Sequence, residues 1–166
     1  MSKTVFNMIM IFFITIFSLG CSEDNSDNGV QSQSDSFTAV LSGSDFSGSF
    51  GAVALQYDFV GPLITSPFGR GNFHGESTVI GMTIANASVG TFALDGSNQW
   101  NAGVVTLEES NIEYSTSSGS GHGSVTISGI SSSRISGTFS FVAYTDDGLD
   151  SIIVTNGSFD LPIAVQ

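Results

Sequence analysis

The strongest constraint on the fold is a two-residue alternation of apolar and polar side chains that recurs along the chain after Phe37. The stretch "TVIGMTIA" sets four residues on one side, namely Thr78, Ile80, Met82 and Ile84. The stretch "RISGTFSFVAY" does the same with Ile135, Phe139, Phe141 and Ala143. This period is typical of strands in antiparallel sheets that have one buried and one solvated face.

Turn signals divide the same region into short segments. Two more segments show the alternation, with Val53, Leu55, Tyr57 and Phe59 in one and Phe159, Leu161, Ile163 and Val165 in the other. The turn signals are Gly43, Gly61-Pro62, residues 69–71, Asp95-Gly96, residues 119–123, Asp147-Gly148 and Asn156-Gly157. Their spacing predicts an all-β domain over residues 37–166, an antiparallel β-sandwich or flattened barrel of about nine or ten strands.

Two positions in the last segments leave alternatives open. Asn156-Gly157 fits a tight hairpin turn. It also fits a bulge inside one long strand, because Ile153 and Phe159 keep the same parity across it. Pro162 lacks a backbone donor and therefore predicts an edge position or a bulge.

The charge balance excludes several classes of partner. The chain has a net charge of −12, and its only basic residues are Lys3, Arg70 and Arg134. Binding to nucleic acid depends on lysine and arginine that neutralise phosphates, so we expect no nucleic-acid partner. Electrostatic docking to anionic lipid is excluded for the same reason.

The N-terminus has the pattern of a secretory signal. Lys3 precedes an apolar run at residues 8–19, which is short for a membrane span. The following Ser18-Leu19-Gly20-Cys21 resembles the lipobox of bacterial lipoproteins. That resemblance implies a signal peptide at residues 1–20 and lipid attachment at Cys21, the only cysteine. The alternative is an uncleaved N-terminal helix with an incidental cysteine.

Residues 21–36 are polar and acidic, and we expect them to form a disordered tether behind the lipidated cysteine. Ser22-Glu23-Asp24 also resembles the export signal of surface lipoproteins in Bacteroidota. The alternative for these three residues is a solvated linker without a sorting function.

Acidic residues form two groups that could carry chemistry. Asp146, Asp147 and Asp150 offer the oxygen ligands that calcium prefers, but Asp147-Gly148 is also a sufficient hairpin turn, which we favour. Glu108, Glu109 and Glu113 could hydrolyse glycosides if two of them faced each other across a cleft. A solvated strand end is the favoured interpretation.

The remaining candidates do not form a motif. His74 and His122 are each next to glycine, which favours loops, and neither has metal-ligand spacing. Four aromatic residues could stack on sugars or pack in the domain, namely Tyr57, Trp100, Tyr114 and Tyr144. We therefore predict no catalytic residue, no cofactor and no metal ligand.

A longer stretch carries a family resemblance. Residues 123–163 contain "GSVTISG", "ISGTFSF" and "VTNGSF", and "GTFAL" and "IEYSTSSGSG" occur upstream. These segments resemble the C-terminal half of a family of small Bacteroidota lipoproteins whose β-domain has no known function. The resemblance implies an envelope location and an all-β fold, and it supplies no catalytic residues.

Together these observations predict a lipid-anchored protein of the cell envelope, in the outer membrane, with surface exposure left open. Its β-domain would be non-enzymatic and would bind a ligand or have a structural role. The membrane would be reached through lipid on Cys21, and a carbohydrate or protein ligand is left unidentified. The alternatives are a surface glycan-binding accessory protein, a small barrel that holds an apolar ligand and, less favoured, a glycoside or other hydrolase.

Overall fold

In the computed structural model, residues 35–48, 52–58 and 62–165 are described. They form eleven strands and no helix, which confirms the all-β prediction and exceeds the predicted strand number. The strands are β1 Ser36–Leu41, β2 Ser44–Ser47, β3 Ala52–Asp58, β4 Leu63–Phe73, β5 Glu76–Ala85, β6 Gly90–Ala93, β7 Ala102–Leu107, β8 Ile112–Ser115, β9 His122–Ile130, β10 Arg134–Tyr144 and β11 Ser151–Val165.

The strands join in the order β2-β1-β11-β3-β4-β5-β7-β8-β10-β9-β6, and β10 also pairs with β11. This extra pairing closes a circuit through β11, β3, β4, β5, β7, β8 and β10, so the sheet is a flattened barrel with two extra strands on each side. One pair departs from the predicted antiparallel arrangement. The end of β11 runs past β1 and pairs in parallel with β3, at Ile163–Ala54 and the two following pairs.

The two sides of the flattened barrel pack face to face. The β9-β10-β11-β1 side supplies buried aromatic rings, and Phe37 and Phe139 have ring centroids 5.1 Å apart. The β4-β5-β7 side supplies buried aliphatic residues, including Ile80, Met82 and Val105. The faces predicted for β5 and β10 are confirmed, because every apolar residue assigned to them is buried.

Gly69 lies inside β4, so the predicted turn at residues 69–71 is wrong. A Cβ atom on Gly69 would lie 2.6 Å from ring atoms of Phe37. A Cβ on Gly71 would lie 2.2 Å from the carbonyl oxygen of Ser47. These glycines are therefore needed for close approach between β4 and the β1-β2 pair, and not for a turn.

Asn156 marks a bulge in β11, which decides between the two alternatives for this position. Thr138 pairs with Ser158, but Phe141 pairs with Val154, so β11 contains one extra residue. Asn156 has a φ of 51°, which asparagine tolerates better than most residues. The bulge shifts the alternation, so Ile152 and Val154 are buried and Ile153 is 49% exposed. The predicted common face of Ile153 and Phe159 is therefore wrong.

The predicted faces of β3 and of the end of β11 need correction as well. Among residues 53–57 of β3, Ala54 is fully buried, whereas Val53, Leu55 and Tyr57 are only half-buried. At the end of β11, Ile163 is half-buried and Val165 is 73% exposed, because this end reaches beyond β1. β11 pairs with β1 up to Asp160 and with β3 from Ile163 onward. Pro162 lies in the gap between these two pairings, where β11 needs no backbone N–H donor on that edge.

Cys21, the predicted signal peptide and residues 22–34 of the predicted tether lie outside the described residues. Within the described part of the chain, no helix is long and apolar enough to cross a membrane.

Candidate functional site

Several of the acidic residues singled out in the sequence meet at one corner of the barrel. This corner is formed by β8 and by the hairpin at residues 145–150 between β10 and β11. Tyr144 pairs with Ser115 and so brings the hairpin beside β8. The buried Tyr114 then donates its hydroxyl to Asp150 Oδ2 over 3.0 Å. We call Glu113, Tyr114, Asp146 and Asp150 the Tyr114 corner.

Burial and like charge control titration at the Tyr114 corner. Burial raises the pKa of Glu113, and the negative charge of Asp146 raises it further. Burial also raises the pKa of Tyr114, and so does its hydrogen bond to Asp150. The ionised forms of Glu113 and of the Tyr114 phenol are therefore both disfavoured here, while Asp150 accepts a hydrogen bond.

The hairpin itself uses the aspartates that calcium could have bound. Asp147 Oδ1 accepts hydrogen bonds from the Thr145 hydroxyl at 2.6 Å and from the Leu149 backbone at 3.0 Å. These bonds lower the pKa of Asp147. Asp150 Oδ1 accepts from the backbone of Ser151 at 2.8 Å. The favoured hairpin interpretation is confirmed, and among residues 35–48, 52–58 and 62–165 no three acidic or histidine side chains are grouped to hold a metal ion.

The glutamates at residues 108, 109 and 113 lie in different surroundings. Glu108 is bound by Arg70 and by the Ser77 hydroxyl, each over 2.5 Å. Glu109 is exposed, and Glu113 belongs to the Tyr114 corner. Glu108 therefore stabilises the junction of β4, β5 and β7, and the three glutamates have separate surroundings.

The two histidines contact neighbouring protein groups, and the four aromatic candidates are buried or half-buried. His74 lies in the turn between β4 and β5. Its ring stacks on that of Phe73 with centroids 4.0 Å apart, and its Nε2 is 3.4 Å from the Ser44 hydroxyl oxygen. His122 is the first residue of β9, so the loop position predicted for it is wrong; its Nδ1 is 2.9 Å from the carbonyl oxygen of Ser120. Tyr114 is buried, and the other three aromatic candidates, Tyr57, Trp100 and Tyr144, are half-buried. Among the described residues, none of the strongly exposed large apolar side chains is aromatic.

A shallow depression of about 350 Å³ was not foreseen from the sequence. Its lining comes from β1, β2 and the β11 bulge, namely Thr38, Ala39, Val40, Asp45, Phe46, Ser47 and Asn156. The exposed residues of this lining are Thr38, Asp45, Ser47 and Asn156. The turn signal at Gly43 predicts that β1 and β2 lie side by side, but Asn156 is more than a hundred residues away in the sequence, and no local pattern predicts its place beside them.

The fold defines a small two-sided all-β domain with a Phe- and Ile-rich interior. The family model described as "Domain of unknown function (DUF6252)" matches residues 70–161, and the chain belongs to this family. The expectation of a β-domain of unknown function is thereby confirmed. No curated protein and no solved structure matched the chain.

Proposed function

We propose that this protein is a lipid-anchored component of the cell envelope whose β-domain has a binding or structural role and no catalytic one. The observation that carries the proposal is the junction at Cys21. An apolar run of signal-peptide length precedes it, and an acidic, amide-rich segment follows it. The resemblance to small Bacteroidota lipoproteins supports the same location, in the outer membrane.

The ion pairs of the domain support a covalent anchor. After Cys21 the chain has two basic residues, Arg70 and Arg134. Arg70 contacts Glu108, and Arg134 contacts Asp160 at 2.6 Å and Asp35 at 3.0 Å. Both guanidinium groups are thus engaged with carboxylates, which leaves little positive field for an anionic lipid surface. Two or three acyl chains on Cys21 would hold the protein without such a field.

The surroundings of the acidic residues support a non-catalytic role. Asp147, Asp150 and Glu108 each accept hydrogen bonds that fix a turn or join strands. Carboxylates used in this way stabilise the fold, and this supports a structural role for these three residues.

Radiolabelled palmitate tests the anchor directly. We expect label in the wild-type protein and none in Cys21→Ala, which should also keep residues 1–20. Ser22→Ala is the matched control, because it changes the next residue and leaves the thiol intact. Incorporation of label into Cys21→Ala equal to that of the wild type would contradict the proposal. Density fractionation then assigns the membrane, and protease shaving of intact cells decides surface exposure.

A further inference from the structure

Six hydroxyl side chains form one row across the outer face of the β2-β1-β11-β10-β9-β6 side of the barrel. The strand register places each of them opposite the next, in the order Ser47, Thr38, Ser158, Thr138, Thr126 and Thr91. All six residues are exposed. With a spacing of about 4.8 Å between neighbouring strands, the row is about 24 Å long. We call these six residues the hydroxyl row.

The hydrogen-bonding groups of the hydroxyl row are held in place and remain available. Four of the six residues are threonines, whose branched side chains have few rotamers. Thr38 Oγ1 lies 3.0 Å from Ser158 Oγ, and Thr91 Oγ1 lies 2.9 Å from Thr126 Oγ1. Because a hydroxyl has one donor and two acceptor sites, each of these pairs keeps sites for a ligand.

The charge and pairing of these strands select the kind of ligand that the hydroxyl row can bind. The row contains no charged residue, and Arg134, the one basic residue on the six strands, is engaged with Asp160 and Asp35. An anionic ligand would therefore find no unpaired cation on them. β1, β11, β10 and β9 are paired on both edges, so an extended peptide cannot add to them as a strand. A neutral ligand whose groups both donate and accept hydrogen bonds matches the row.

The shallow depression described above lies at one end of the hydroxyl row. Thr38 and Ser47 belong to both, and the exposed Asp45 and Asn156 complete the polar lining. A carboxylate can accept hydrogen bonds from two hydroxyl groups, and an amide can both donate and accept. The depression therefore adds a concave, polar part to the row, of a kind that fits a sugar ring.

The twist of the sheet distinguishes a single chain from a flat lattice. Neighbouring strands rotate by about 20°, so six strands turn the row through about 100° from one end to the other. A planar crystalline surface cannot follow such a turn, whereas a single polysaccharide chain can. Such a chain also carries hydroxyl groups along its whole length, as the row does.

We infer that the hydroxyl row and the depression bind a neutral polysaccharide chain, which crosses the strands from Ser47 to Thr91. This inference deepens the proposed function, because it rests on the binding role given to the β-domain. It assigns the ligand class through hydrogen bonds from hydroxyl groups and requires no exposed aromatic ring.

Affinity electrophoresis of the full chain tests the inference. The protein is solubilised in a polyoxyethylene detergent and run through native gels that contain dextran, mannan or soluble starch, with alginate as an anionic comparison. Thr126→Val/Thr138→Val removes two neighbouring hydroxyls and keeps branched side chains that favour strands. Thr83→Val is the matched control, because Thr83 is half-buried in β5 on the opposite side of the barrel.

We expect at least one of the three neutral polysaccharides to retard the wild-type and Thr83→Val proteins equally. Thr126→Val/Thr138→Val should bind it about tenfold more weakly, because two hydrogen bonds are lost. Circular dichroism checks that this variant is folded, and Ser47→Ala repeats the test with a smaller change at the depression.

Three results would overturn the inference: retardation by none of the neutral polysaccharides, retardation by alginate alone, or equal retardation of the wild-type protein and Thr126→Val/Thr138→Val. Palmitate labelling of Cys21 in the same preparations tests the anchor separately. A labelled protein that binds no neutral polysaccharide would overturn the ligand and leave the anchor in place. An unlabelled protein that binds one would overturn the anchor and leave the ligand in place.

Discussion

Gly69→Ala tests the close packing that the structure assigns to β4. The added methyl carbon would lie 2.6 Å from Cγ and Cδ1 of Phe37 and 2.9 Å from its Cβ. Phe37 is 1% exposed, and its ring lies against the rings of Phe139 and Phe46. The ring therefore has no free space to move into, and the two sides of the barrel must separate locally.

The change in the free energy of unfolding caused by Gly69→Ala follows from two opposing effects. Overpacking of a well-packed core destabilises by about 1–3 kcal/mol. Alanine is favoured over glycine within a strand by about 0.5–1 kcal/mol, which offsets part of this. We expect Gly69→Ala to lower the free energy of unfolding by about 1–2 kcal/mol, or the Tm by about 4–8 °C.

Gly129→Ala is the matched control, since it also lies in a strand without a positive φ. Its new Cβ would meet only the Ser136 hydroxyl, at 3.0 Å, and that side chain can rotate. We expect no loss of stability or a slight gain. Urea denaturation followed by Trp100 fluorescence and circular dichroism measures both variants. The packing explanation is refuted if Gly69→Ala is as stable as Gly129→Ala.

Three further predictions concern polar contacts. Glu113→Gln should increase the free energy of unfolding at pH 7 relative to Glu109→Gln, because it removes a charge that burial and Asp146 disfavour. Glu109→Gln removes the same charge from an exposed site, and urea denaturation at pH 7 compares the two variants. Arg134→Ala should destabilise only slightly, because the ion pairs that it loses with Asp35 and Asp160 are partly exposed. Hydrogen exchange should quicken at the start of β1, and unchanged exchange would contradict the role given to Arg134. Tyr114→Phe should lower the free energy of unfolding by about 1 kcal/mol, because it removes the hydrogen bond to Asp150. Thermal denaturation measures this loss, and a Tm equal to that of the wild type would contradict a stabilising role for the bond.

The sign of the Glu113 effect follows from its raised pKa. The folded state holds a proton on Glu113 at pH values where the unfolded state, with its ordinary pKa of 4.5, has released it. The extra stability from this proton is fully present below pH 4.5. It is lost as the pH rises from 4.5 through the higher pKa of Glu113 in the folded state. Glutamine cannot ionise, so Glu113→Gln should flatten this part of the pH profile. A profile as steep as that of Glu109→Gln would contradict the assignment.

The sequence predicted those strands whose alternation is uninterrupted. β5 and β10 bury the residues assigned to them, since each pairs along most of its length and has one face in the core. Ile153, which precedes the bulge in β11, could not be assigned correctly from its parity with Phe159, because one extra residue at Asn156 exchanges the two faces. Gly69 was misassigned because glycine is suited both to turns and to close approach of backbones, and only the position of Phe37 distinguishes the two.

Contacts between residues that are distant in the sequence account for the other differences between the predicted and the observed structure. The parallel pairing of β3 with β11 joins segments that are more than a hundred residues apart, and local patterns do not predict such partners. The bond from Tyr114 to Asp150 likewise depends on the placement of β8 beside the hairpin. The aspartates were correctly assigned to a turn because Asp147-Gly148 is a local signal, whereas their link to a buried tyrosine was not predictable.

The intact mass of the wild-type protein, purified from the membrane fraction of cells that process lipoproteins, tests the central claim most directly. We predict a chain that begins at Cys21 and carries the added mass of two or three acyl chains. Digestion should place all of that mass on the N-terminal peptide. A chain that begins elsewhere, or one with an unmodified Cys21, would contradict the lipid anchor.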